Sequence, residues 1–172
     1  MDIATALLLG LTLTAALTDL SYRKIYNWNT YTGIIIGFLV SAFQPGGIGL
    51  EDSLWGFLVC SAVVISCYLF FPIGGGDVKL IAMMATFLGF EQSLECLLWT
   101  FVLGAGMALS LLIWQFGVLR LISRSLKQVW WLLRYHHWLS LSAEERNILK
   151  PQLRLGLTAF IAVLIVKFSG FH

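Results

Sequence analysis

Two aspartates, Asp19 and Asp77, are the residues whose type and placement could do chemistry in this chain. Asp19 ends a long apolar stretch, and Asp77 directly follows Gly74, Gly75 and Gly76 between two other apolar stretches. A carboxylate near hydrocarbon costs roughly 2.5 to 3.5 kcal/mol on insertion scales, so such a residue is a functional candidate by default. One ionised and one protonated carboxyl together can activate water and stabilise an oxyanion. The pattern therefore predicts a two-carboxyl hydrolytic site.

The two acids occupy opposite positions on their predicted helices. Asp77 opens a helix, where the positive end of the helix dipole stabilises the anion, whereas Asp19 closes one, where the negative end favours protonation. On this ground Asp77 is the predicted base and Asp19 the predicted acid. The pair titrates as a unit, and closure around a substrate could exchange the two roles.

The composition is that of an integral membrane protein. Of the 172 residues, 59% are hydrophobic and 12% are charged, against about 25% charged in soluble domains. The only charge before Asp19 is Asp2, whereas a signal peptide carries a positive first region, so the first stretch is expected to be a retained helix. We predict an all-α fold, a single domain over 1–172 with six transmembrane helices. The six apolar stretches are Ile3–Thr18, Thr30–Phe43, Ser53–Phe71, Val78–Phe90, Leu94–Leu119 and Leu153–Phe168.

The placement of basic residues predicts how the chain is oriented. Arg23 and Lys24 lie in the first loop, Lys79 follows the third stretch, and seven basic residues lie within 120–154. The second and fourth loops carry the acids Glu51, Asp52, Glu91 and Glu95. Cytoplasmic loops are enriched in Lys and Arg, so the odd-numbered loops are expected in the cytosol and both termini outside. Both aspartates then lie on the cytosolic side of the membrane.

The segment 120–150 is predicted to form an interfacial helix with one basic face. Its basic residues recur at helical spacing, with apolar and aromatic residues opposite them, as in helices that lie on an anionic leaflet. Such a segment is either a linker bound to the membrane or a substrate-docking surface. Cys60, Cys67 and Cys96 form no C-x-x-C pair, and no metal-ligand spacing occurs, so we expect no metal and no cofactor.

The residues around both acids resemble those of the type IV prepilin peptidases, intramembrane aspartic proteases of the glycine-x-glycine-aspartate class. The resemblance spans nearly the whole chain. It rests on Asp19 with Asn27 eight residues later, on the run from Gly74 to Lys79, and on six apolar stretches with both acids cytosolic. Tyr26 stands where this family usually has proline. The short length and the absence of paired cysteines resemble the minimal branch that serves Flp or tight-adherence pili.

The resemblance implies an endopeptidase that removes the leader of a prepilin or pseudopilin precursor at the cytosolic face of the inner membrane. Asp19 and Asp77 would be the catalytic residues, and N-methyltransferase activity is not expected. The three glycines would admit an extended substrate segment. Lys79 would meet lipid phosphate or serve as a positive-inside anchor, and Asn27 would orient its loop or serve as a turn residue. Membrane lipid is an expected partner and nucleic acid is not.

Two readings from other classes remain alongside the protease. In an ion-coupled transporter or channel component, the two acids would bind a proton or a cation at a broken helix. A non-catalytic pilus or secretion assembly protein could also keep the same fold. Within the proteases, an archaeal preflagellin-type enzyme would have a similar layout.

Overall fold

The described part of the chain is built of α-helices. The computed structural model describes residues 2–44, 47–70, 74–116 and 155–168. The helices in these ranges are α1 (Ile3–Tyr22), α2 (Asn27–Phe43), α3 (Leu50–Phe70), α4 (Gly75–Phe116) and α5 (Leu155–Phe168). The predicted interfacial segment at 120–150 lies outside the described residues. The all-α fold class is confirmed for the described ranges.

Three of the described helices are long and apolar enough to cross a membrane. They include the ranges Ile3–Tyr22, Leu50–Leu69 and Gly75–Leu111, and the shorter α5 is also apolar. A helix needs about 20 mainly apolar residues to span the hydrocarbon core. These helices identify the chain as a membrane protein. By contacts, residues 1–103 and 154–172 form one compact unit, and residues 104–153 form a second.

A single residue, Gly89, interrupts α4. Its backbone has φ 72° and ψ −173°, while the residues on both sides are helical. That region of backbone conformation is essentially restricted to glycine. The sequence predicts a loop between Phe90 and Leu94, and this prediction is wrong. A single glycine with positive φ is enough to end one helical segment and start the next. Hydropathy indicates where an apolar stretch ends, but not how many residues the break between two helical segments needs.

The backbone around this break is supported by α2 and α3. The hydroxyls of Ser41 and Ser53 both donate to the Thr86 carbonyl, at 3.0 and 2.7 Å, and all three side chains are buried. Carbonyls in the last turn of a helix lack intrahelical donors. A Cβ added to Gly56 would lie 2.7 Å from the Gly89 carbonyl oxygen, so α3 approaches the break backbone to backbone.

Two glycines on α2 allow it to pack closely on α4. Gly33 and Gly37 are four residues apart, and an added Cβ at either would collide with a side chain of α4, Met83 for the first and Thr86 for the second. Small residues at this spacing let membrane helices approach each other closely. The first segment of α4 is accordingly buried throughout residues 80–89. It is the central element of its unit.

We expect Gly89→Ala to destabilise the protein by about 1 to 3 kcal/mol, the cost of a side chain in this backbone region. The added Cβ would also meet Asp52 and Ile48. Gly10→Ala is the matched control, because Gly10 is helical with nothing within 4 Å of an added Cβ, and its replacement removes a helix-destabilising glycine. Thermal unfolding in detergent, followed by circular dichroism, measures both. Equal melting temperatures for the two variants would contradict the assignment.

Candidate active site

Asp19 lies in the last turns of α1 with its side chain largely buried. The helix continues for one more turn to Tyr22 and closes at Arg23, which has φ 53° and donates its N–H to the Asp19 carbonyl at 3.0 Å. The Asp19 side chain is 8% exposed. A carboxyl in such a position needs polar partners to offset its lost hydration.

One partner of the Asp19 carboxyl comes from α5. The N–H of Gly156 donates to Oδ2 of Asp19 at 3.0 Å. Gly156 is the second residue of the range described for α5, Leu155–Phe168. A backbone donor of α5 therefore offsets part of the hydration that the buried Asp19 carboxyl loses. In the sequence, Gly156 is marked only as the glycine that follows Lys150 and Pro151 near the start of the last apolar stretch.

Asp77 lies in the first turn of α4, as predicted. Its N–H donates to the Gly74 carbonyl at 3.0 Å, and its side chain is half-buried. Electrostatic repulsion from Asp19, 58 positions away in sequence, acts on the Asp77 carboxyl. Like charges at short range favour sharing of one proton between two carboxyls.

The glycine run before Asp77 has an ordinary backbone conformation. None of the three glycines has a positive φ, and the last two already belong to α4. Their small size matters in two places instead. An added Cβ would lie 2.9 Å from Oδ2 of Asp77 at Gly74, and 3.1 Å from the Cβ of Ile25 at Gly76. At Gly75 it would meet none of the described residues within 4 Å, so among them the open space at this helix end lies over Gly75.

Tyr26 adopts the backbone that a proline would impose. It caps α2 with φ −75° and ψ 133°, and proline fixes φ near −65 ± 15°. Its carbonyl accepts the N–H groups of Asn29 and Thr30, at 3.2 and 3.4 Å. The turn between α1 and α2 thus keeps this shape without the proline. The ring of Tyr26 also packs edge-on against Tyr22.

Lys79 and Asn27, both predicted to support the site, contact each other. The Nζ of Lys79 donates to Oδ1 of Asn27 at 2.9 Å and lies 4.9 Å from the centre of the Tyr31 ring. A cation over an aromatic face is attracted by the ring quadrupole. Lys79 therefore ties the start of α2 to the first turn of α4. Together with the Ile25 contact, this holds the turn between α1 and α2 beside Asp77.

The described residues contain no group of three or more His, Cys, Asp or Glu side chains that could hold a metal ion. The three cysteines are free thiols, and Cys60 donates to the Ser93 hydroxyl at 3.3 Å. The chemistry available at the two aspartates is proton transfer and hydrogen bonding by a pair of carboxyls, which can supply both an acid and a base.

A family model described as the type IV leader peptidase family matches residues 6–109. This range is more than half of the chain and includes both aspartates, Asn27 and Lys79. No curated protein and no solved structure matches the chain. The resemblance predicted from the residues around the two acids is thereby confirmed at the level of the family.

Gly76→Ala is expected to lower stability by about 1 kcal/mol or more, because its new methyl group presses on Ile25 in a close-packed contact. Gly75→Ala adds the same methyl group one residue earlier, into open space, and we expect it to leave stability unchanged or slightly raised. Melting temperatures of the two purified proteins provide the comparison. A Gly75→Ala variant as unstable as Gly76→Ala would show that the contact with Ile25 is not the cause.

Proposed function

The chain belongs to the type IV leader peptidase family, and we propose that it is an intramembrane aspartic endopeptidase that removes the leader peptide of type IV prepilins or pseudopilins. The observation that carries the proposal is the family match over residues 6–109, a range that contains Asp19 near the end of α1 and Asp77 in the first turn of α4. Two carboxyls that share an environment can hold one proton between them. This is the state from which a carboxyl pair hydrolyses a peptide bond.

In the proposed mechanism a water molecule lies between the two carboxyls and a peptide carbonyl of the substrate. The ionised carboxyl removes a proton from the water, whose oxygen forms a bond to the carbonyl carbon. The protonated carboxyl hydrogen-bonds the developing oxyanion. When the C–N bond breaks, the leaving nitrogen takes the proton that the first carboxyl received. The acid and the base are thus both regenerated without any further group.

We propose that the chain crosses the inner membrane six times, with both aspartates at the cytosolic side. The break at Gly89 supports this count, because it divides α4 into two helical segments of 75–88 and 90–116. Arg23, Lys24 and Lys79 accompany the aspartates, while acidic residues occupy the start of α3. The positive-inside rule assigns loops enriched in Lys and Arg to the cytosolic face.

The substrate is proposed to be a precursor with a basic leader in the cytosol and a hydrophobic segment in the membrane. Two acids at the cytosolic edge of the membrane would cleave the precursor at the boundary between its leader and its hydrophobic segment. The unoccupied space over Gly75 would admit an extended segment of the substrate close to the backbone. We assign the chain to the short Flp or tight-adherence branch, without N-methyltransferase activity, on its length and its lack of paired cysteines.

Asp19→Asn and Asp77→Asn are each expected to lower cleavage about 10²- to 10⁴-fold, because each removes a proton-transfer group and keeps the side-chain shape. Asp2→Asn, an exposed residue before α1, is the control and should cut like the wild type. A short prepilin is co-expressed with each variant, cleavage is followed by gel shift, and membrane insertion is checked by fractionation.

Either aspartate variant cutting as well as the wild type would exclude the two-carboxyl mechanism. If the wild type cuts none of the prepilins, proton or cation flux in vesicles, lost in the same two variants, would support the transporter reading.

Lys79→Met and Asn27→Leu are expected to lower the cleavage rate through the same contact. The double variant should then cut about as fast as the slower single variant, with a coupling free energy of about 1 kcal/mol. Lys24→Met removes a positive charge from the preceding turn and is the control for charge alone. Initial cleavage rates of the wild type, the two single variants and the double variant complete the double-mutant cycle. Strict additivity, or an equal loss in Lys24→Met, would show that Lys79 acts only through its charge.

A further inference from the structure

We propose that Gly156 is a positioning residue for the reaction, whose main-chain N–H holds Asp19 as the carboxylate that takes the proton from water. The inference rests on the proposed function and adds a residue outside the range that the family model matches. It is carried by the hydrogen bond from Gly156 to Oδ2 of Asp19, which joins residues 137 positions apart in the chain. Gly156 acts through Asp19 and not on the substrate.

The absence of a side chain at Gly156 is as important for this contact as its N–H group. An added Cβ would lie 2.9 Å from the Cβ of Asp19 and 3.0 Å from its Oδ2, distances that side-chain carbons do not tolerate without displacement. The carboxyl therefore occupies the space that any other residue at 156 would fill. Only glycine lets the backbone of α5 come within hydrogen-bond distance of this carboxyl.

The packing of α1 on α5 makes this contact rigid. Small or branched residues of both helices, among them Ala15, Ala159, Ala162 and Val163, belong to one buried cluster. Close-packed interiors resist displacement, so Gly156 cannot withdraw from Asp19 without disturbing this cluster. The donor is thus pre-organised before any substrate binds.

The contact reverses the roles that the chain positions alone predict. A hydrogen bond from a backbone N–H stabilises the ionised form of a carboxyl. Asp19 is then the base, and Asp77 is the acid that hydrogen-bonds the oxyanion. The prediction from the sequence used only the dipole of α1, which carries Asp19, and not the backbone of α5, which contacts it.

The charged groups near this contact come from two described segments. Asp77 and Lys79 belong to the first turns of α4, and Arg23 and Lys24, both exposed, follow α1. On the described part of α5 the charged residue is Lys167, near its C-terminal end, which donates to Gln92 at 2.7 Å. None of these groups changes in the variants below, so a shift in pH dependence reports on the N–H of Gly156.

The direct test replaces Gly156 by glycolic acid, which puts an ester in place of the 155–156 amide and removes the N–H without adding a side chain. Loss of the donor makes ionisation of Asp19 harder. We expect the acid limb of the kcat/KM profile against pH to move up by roughly one to two pH units, the equivalent of one charge-assisted hydrogen bond. A partly misfolded sample would lower the rate but would not move the limb.

Gly156→Ala keeps the N–H and adds the methyl group that displaces the carboxyl. We expect kcat to fall about 10²-fold, as for a displacement of about 1 Å in a catalytic group. Gly10→Ala, on α1 with open space around it, is the control for adding a methyl group to a helix of this unit. Where Gly156→Ala fails to fold, the ester variant decides the question.

A wild-type rate and an unmoved acid limb in the ester variant would overturn the inference. That result would leave the proposed function intact as long as Asp19→Asn and Asp77→Asn abolish cleavage. Failure of the wild type to cut prepilins would instead count against the proposed function itself, so the two failures are distinguishable.

Discussion

Close approach between helix backbones, allowed by glycine, is the constraint on which this structure depends. Helices in a membrane gain little from hydrophobic attraction to each other, so they associate through close packing and hydrogen bonds. Gly33 and Gly37 admit the side chains of α4 to the surface of α2, and Gly56 admits the backbone at Gly89. The first segment of α4 is buried as a result, and it carries Asp77 at its start. The same device, at Gly156, brings α5 onto Asp19.

The chain presents its two aspartates on separate helices, and the turn between α1 and α2 links them. Ile25 rests against Gly76, and Asn27 accepts a hydrogen bond from Lys79. A displacement of α4 relative to α1 would therefore disturb this turn as well as the carboxyls. Asp77 lies in the first turn of α4, Asp19 near the end of α1 and Gly156 in α5, all regular backbone, which fixes side chains more firmly than a loop does.

Much of the fold could be predicted from the sequence, because apolar stretches and lone acids leave local signals. The class of the fold, the positions of Asp19 and Asp77 near helix ends, and the family all follow from residues close together in the chain. Contacts between distant residues leave no such signal. Neither the fit of Gly156 against Asp19 nor that of Gly76 against Ile25 can be read from spacing. The break at Gly89 could not be predicted from the sequence for a different reason, because hydropathy is insensitive to a single backbone torsion.

The two serine hydroxyls on the Thr86 carbonyl have a consequence for how the sequence can change. Each residue step around an α-helix turns the side chain by about 100°. Rotating α2 or α3 about its axis by one step would carry Ser41 or Ser53 away from its acceptor, so these two bonds set the rotational register of both helices. The exposed apolar residues of α3, such as Leu54 and Leu58, carry no such information. Substitutions among aliphatic residues can therefore accumulate on the lipid-facing surface while the rotational register of each helix stays fixed.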